Sequence, residues 1–85
     1  MELYQLRTFI AVAEEAHLTK AAKRLHTSQP AVSAHIKALE EELDIILFNR
    51  SKKGMALTEK GELILRKAKI VFESSNDLLT QAKEI

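Results

Sequence analysis

The stretch TSQPAVSAHIKALEEEL, Thr27–Leu43, decides how the chain folds. Val32, Ile36, Leu39 and Leu43 recur at i, i+4, i+7 and i+11, the spacing of one apolar stripe along an α-helix. Ser28 is the expected N-cap. If Thr27 capped the helix, the donor position three residues on would be Pro30, which has no N–H. With Ser28 as the cap, Ala31 donates instead, and Pro30 sits in the first turn, where a missing N–H costs nothing. Once the stripe turns inward, Pro30, Ser33, Ala34 and Lys37 point outward, with Gln29 beside them. So bare a leading face suits a helix that is pressed closely against another surface.

Upstream, Leu3, Leu6, Ile10 and Ala13, with Phe9 alongside, predict an amphipathic helix from Leu3 to about Glu15. A shorter helix is expected over Leu18–Leu25, with Thr19 as a candidate N-cap and Ala21, Ala22 and Leu25 as its apolar face. Only His26 and Thr27 separate it from the Ser28 cap, a helix-turn-helix spacing that many helical proteins share. Downstream, IILFNR is rich in strand formers, SKKG reads as a turn and MALT as a returning strand, which together predict a hairpin with a basic tip. Thr58 caps a final helix with Glu59 in its first turn. If unbroken to Ile85 that helix is ~40 Å long. Ile64, Ala68, Val71, Ser75, Leu78, Ala82 and Ile85 form a heptad seam along it, widened by Leu65, Phe72 and Leu79. A partner helix is one way to cover that stripe, and folding back on the chain's own core is the other. No glycine or proline stop signal follows it, and a longer parent protein is expected.

Composition agrees with a single small mainly α domain. The 85 residues are 46% hydrophobic and 29% charged, with one proline, two glycines and no cysteine. Disulfides and thiolate metal sites are excluded, and no apolar run reaches the ~20 residues a membrane span requires. A cytoplasmic location is expected. Net charge is only +1, yet it is unevenly spread. From Ala16 to Leu39 there is no acidic residue, while Lys20, Lys23, Arg24 and Lys37 are basic; Arg50, Lys52 and Lys53 form a second cluster. The histidines at 17, 26 and 35 lack the i, i+4 spacing of a metal site, and no nucleophile–base pair or phosphate-binding glycine loop points to catalysis.

The motifs AA-RL--SQPAVS--I--LE, LF-R and LT--G occur in this order within residues 21–61, and the segment containing them resembles the winged helix-turn-helix domain of LysR-type bacterial transcriptional regulators. The resemblance runs from about Leu3 through the long helix. It implies a three-helix core with a two-stranded wing over residues 1–58, followed by a linker helix over 59–85 that pairs antiparallel in a homodimer. It also implies a recognition helix from Ser28 in the major groove of double-stranded DNA, and an effector-sensing domain after the linker. No cofactor is expected in this chain. RNA polymerase is an expected further partner of the parent regulator. Four departures bear on the target sequence. Ala34 and Ala38 stand where long polar residues are common, Lys53 replaces a frequent arginine, and Lys60 a frequent alanine. Asp44 occupies a usual glycine position, where aspartate tolerates left-handed geometry.

On this reading Gln29 pairs with adenine N6 and N7, Ser33 meets a base edge, and Pro30 and Ala34 meet thymine methyls. The candidate DNA-contacting set is Thr19, Thr27, Ser28, Gln29, Pro30, Ala31, Ser33, Ala34, Lys37, Arg50, Lys52 and Lys53. Arg50 has a competing role as a hairpin anchor, Lys20, Lys23 and Arg24 read as solvated charges, and His35 as a packing residue. The candidate dimer set is Ile64, Ala68, Val71, Phe72, Ser75, Leu78, Leu79 and Ala82. Two other readings compete: a helical interaction module, and a nucleoid protein without sequence preference.

Overall fold

The computed structural model describes all 85 residues. Its elements are α1 (Leu3–Glu15), α2 (Leu18–Arg24), α3 (Gln29–Leu43), β1 (Phe48–Ser51), β2 (Gly54–Leu57) and α4 (Glu59–Glu84). The winged helix-turn-helix with a long terminal helix is therefore present as expected.

Each boundary has a local cause. The Ser28 hydroxyl accepts from the Ala31 N–H at 3.2 Å, so the cap falls where the proline argument put it. Thr58 accepts from the Gly61 N–H at 2.9 Å and donates to the Ile46 carbonyl at 2.6 Å, fastening the start of α4 to the loop before β1. α2 differs from expectation. Its N-cap is His17, in extended backbone, and Thr19 lies inside the helix. The two helices of the motif end alike. His26 (φ 56°) and Asp44 (φ 54°) both take the left-handed conformation. The next N–H then reaches back: Thr27 to the Ala22 carbonyl at 3.0 Å, and Ile45 to Glu40 at 3.1 Å. This closure satisfies carbonyls that a helix end leaves orphaned.

The core lies among α1, α2, α3 and the start of α4. Phe9, Val12, Ala21, Val32, Ile36, Leu39 and Leu47 are completely buried. Phe9 meets Phe48 edge to face at 5.5 Å, which ties α1 to the wing. β1 and β2 pair antiparallel from Phe48↔Leu57 to Ser51↔Gly54, with Lys52 and Lys53 at the turn. The Met55 N–H donates to the Ala16 carbonyl at 2.8 Å, so the wing is also held to the α1–α2 turn. Gly54 is required there: its φ is +130°, and a side chain would collide with the Ala16 carbonyl and the His17 ring.

The first half of α4 belongs to this core. Gly61 and Ala68 are buried, and Ile64 and Leu65 pack against the cluster. Gly61 lets the helix lie directly against the Leu47 carbonyl, where a methyl group has no room. The second half extends beyond the core and gives the molecule its length of 48 Å against widths of 26 and 19 Å.

Candidate nucleic-acid interface

α3 is amphipathic across its short axis. Val32, Ile36 and Leu39 anchor it, while Gln29, Pro30, Ala34, Lys37 and Ala38 are exposed and Ser33 is half-buried. Over Gln29–Ala38 the exposed surface carries almost no bulk apart from Gln29 and Lys37, so a groove wall can approach the backbone closely. His35 is held as a packing residue. It stacks edge-on against Tyr4 with ring centroids 4.8 Å apart, and its Nδ1 lies 2.9 Å from the Thr8 hydroxyl. That hydroxyl donates to the Tyr4 carbonyl at 3.0 Å, so His35 Nδ1–H is the donor to Thr8. The network ties α3 to α1.

Between α2, the start of α3 and the wing lies an open cleft of about 500 Å³. Thr19, Lys20 and Lys23 line it from α2, Gln29 from α3, and Arg50, Ser51 and Lys52 from the wing. No carboxylate lines it. The fold thus joins the two basic segments that were separate in the sequence. Arg50 is exposed and forms no ion pair or side-chain hydrogen bond, which leaves it available to a ligand and removes the hairpin-anchor reading. Lys53 lies exposed at the wing tip, its own N–H donating to the Ser51 hydroxyl at 3.2 Å. Thr27, Ser28 and Ala31 flank Gln29 at the start of α3; Thr27 and Ser28 are exposed and Ala31 is half-buried.

Arg24 is a correction to the expectation of a solvated charge. It pairs with Glu14 at 2.8 Å and with Glu15 at 3.2 Å, bracing α2 against α1, while Lys69 reaches Glu14 at 3.5 Å from α4. The Arg24 hydrogen bond, aided by the Arg24 and Lys69 charges, holds the Glu14 carboxyl below its ordinary value of 4.5. Arg24 is in turn raised, first by the bond it donates to Glu14. This cation is neutralised by its own chain and faces away from the cleft.

Along α4, Ala68 is buried in the chain's own core and Ile64 is half-buried, so the first part of the expected seam is already covered. Val71, Leu78 and Leu79 remain exposed, as does Ala82, while Phe72 and Ser75 are half-buried. Leu63 (55% exposed) and Ile70 (58%) are also uncovered, and the heptad reading missed them. At 100° per residue, Leu63, Ile70, Val71 and Leu78 fall within an arc of about 100°, with Val71 on the side nearest Ala68.

The arrangement is that of a winged helix-turn-helix regulator. A family model described as bacterial regulatory helix-turn-helix protein, lysR family, matches residues 3–62, and the chain belongs to that family. Its relatives are transcriptional regulators rather than enzymes. The HTH-type transcriptional regulator BsdA of Bacillus subtilis (strain 168) is 42% identical over 86 residues, covering all of this chain and 30% of BsdA. BudR of Klebsiella aerogenes is 47% identical over 85 residues, covering all of this chain and 59% of BudR. The chain therefore spans less than two thirds of these relatives. Among solved structures, a CbnR_DBD–DNA complex superposes with a TM-score of 0.94 at 39% identity, over 99% of this chain and 97% of that one. A BenM_DBD complex with benA site 1 DNA gives 0.93 at 37% identity, over 99% and 94%.

Proposed function

We propose that this chain is the DNA-reading end of a cytoplasmic transcriptional regulator that binds an interrupted palindromic operator as a homodimer. The observation that carries the reading is the bare outer face of α3 set beside a cleft with four cationic side chains and no carboxylate. An interaction module has no use for that juxtaposition. Gln29 and Ser33 read base edges, Pro30 and Ala34 lie against thymine methyls, and the set favours A·T-containing half-sites. Ser28, Thr27, Thr19 and Lys37 take phosphates and fix the register, with Ala31 presenting its N–H beside them; Arg50, Lys52 and Lys53 hold the flanking backbone or minor groove. The DNA complexes of the CbnR and BenM domains support this assignment by similarity.

Residues 1–58 do the reading and 59–85 the pairing, although the first turns of α4 also complete the core. The uncovered stripe of Leu63, Ile70, Val71 and Leu78 supports pairing through a second α4, with Leu79 and Ala82 widening the contact toward the end. In the parent regulator, an effector-binding domain and contact with RNA polymerase would lie beyond this recognition unit.

Selection of bound duplexes from a random pool tests the proposal. The expected product is two inverted half-sites separated by a whole number of helical turns. A pool that gains no consensus, with equal salt-sensitive binding to every duplex, would replace this reading with backbone recognition alone.

A further inference from the structure

Two lysines of α2 stand apart from the residues already assigned. Lys20 and Lys23 are exposed, lie at i and i+3 on one helix face and line the cleft opposite Arg50 and Lys52. Neither forms an ion pair. The contrast with Arg24, one residue further on, is direct: Glu14 and Glu15 neutralise it on the other side of the helix. The chain thus has acidic side chains at hand and directs them to one α2 cation only.

We infer that Lys20 and Lys23 form one wall of a phosphate seat, with Arg50 and Lys52 as the other, so that a stretch of DNA backbone is gripped between α2 and the wing. The inference rests on the reading above and adds two residues to it. The walls are fixed relative to each other, because the Met55–Ala16 backbone bond and the close packing of Gly54 hold the wing to Ala16 and His17, just before α2. Gln29 lines the same cleft, so a backbone seated there sets the depth at which Gln29 meets the base edges. Lysine suits such a wall: it is a point charge on a flexible stem, able to follow a phosphate without imposing the bidentate geometry of arginine.

The salt dependence of binding separates this seat from ordinary solvated lysines. The selected operator and a scrambled duplex are titrated across a salt series with the wild-type chain, Lys20→Ala, Lys23→Ala and the double variant. Lys83→Ala serves as a control that removes the same charge at the far end of α4. Each lost phosphate contact lowers the slope of log K against log salt by about 0.9, so each single substitution lowers it by about 1.8 in a dimer with two occupied half-sites. Both duplexes weaken together, the preference for the operator is kept, and Lys23→Arg retains the wild-type slope. A double variant with the wild-type slope, or one no different from Lys83→Ala, would overturn the seat while leaving the regulator reading intact. A wild-type chain that binds neither duplex would overturn that reading, and the seat with it.

Discussion

α3 and the far half of α4 are both amphipathic helices, but they use their apolar faces in opposite ways. In α3 the apolar stripe is buried at Val32, Ile36 and Leu39 and half-buried at Leu43, which leaves the opposite face rigidly held and free to carry Gln29, Ser33 and Lys37. In α4 beyond Ala68 the large apolar residues other than the half-buried Phe72 are exposed: Ile70, Val71, Leu78 and Leu79 have 44% to 67% of their surface in water. The first helix presents polar groups to a ligand; the second presents hydrocarbon to a partner. Periodicity alone cannot distinguish them. What separates them is whether the chain's own core reaches far enough to cover the stripe.

Apolar substitutions at the two sites should therefore fail differently. Leu39→Ala removes a completely buried side chain, and the transfer and cavity costs together destabilise the domain by about 2–5 kcal/mol, read by denaturant unfolding. Ile70→Glu combined with Leu78→Glu leaves the helical dichroism of a folded domain but yields a monomer by sedimentation, with operator affinity falling as the dimer is lost. A dimer that survives both charges would mean that α4 pairs through another face. A smaller effect is expected at the start of α3. Ser28→Ala leaves the Ala31 N–H without its side-chain acceptor and costs about 1 kcal/mol.

The smallest effect concerns acid. Because Arg24 depresses the Glu14 carboxyl in the folded chain, the pair contributes stability above the ordinary value of 4.5. That contribution is lost as pH falls through the depressed folded value. Glu14→Gln should therefore narrow the stability difference between neutral and acid solution. An unchanged pH profile would show that the pair is too well solvated to matter.

Local signals were legible in the sequence where one residue's chemistry decides the geometry. Pro30 excluded Thr27 as a cap and left Ser28; Thr58 capped α4; Asp44 took the left-handed position expected of a glycine substitute. Thr19 misled because a threonine at a helix start is usually a cap, yet the chain turns into α2 two residues earlier, at His17. The left-handed turn at His26 carried no glycine or asparagine to announce it. Arg24 finds Glu14 and Glu15 only because α1 and α2 cross where they do. Ala68 satisfies the heptad as well as a partner-facing residue would, but the chain's own core occupies that side of α4. The cationic cleft is a product of topology, since α2 and the wing are far apart in sequence.

The central claim is that the exposed face of α3, Gln29 included, reads bases while the cationic walls of the cleft beside it read only backbone. The most direct measurement is the ratio of operator to scrambled-duplex affinity for Gln29→Ala combined with Ser33→Ala, at fixed salt. The predicted result is a ratio falling toward one, with scrambled-duplex affinity and the salt slope close to wild type. A variant that keeps its preference for the operator would contradict the account and place sequence reading elsewhere on the domain.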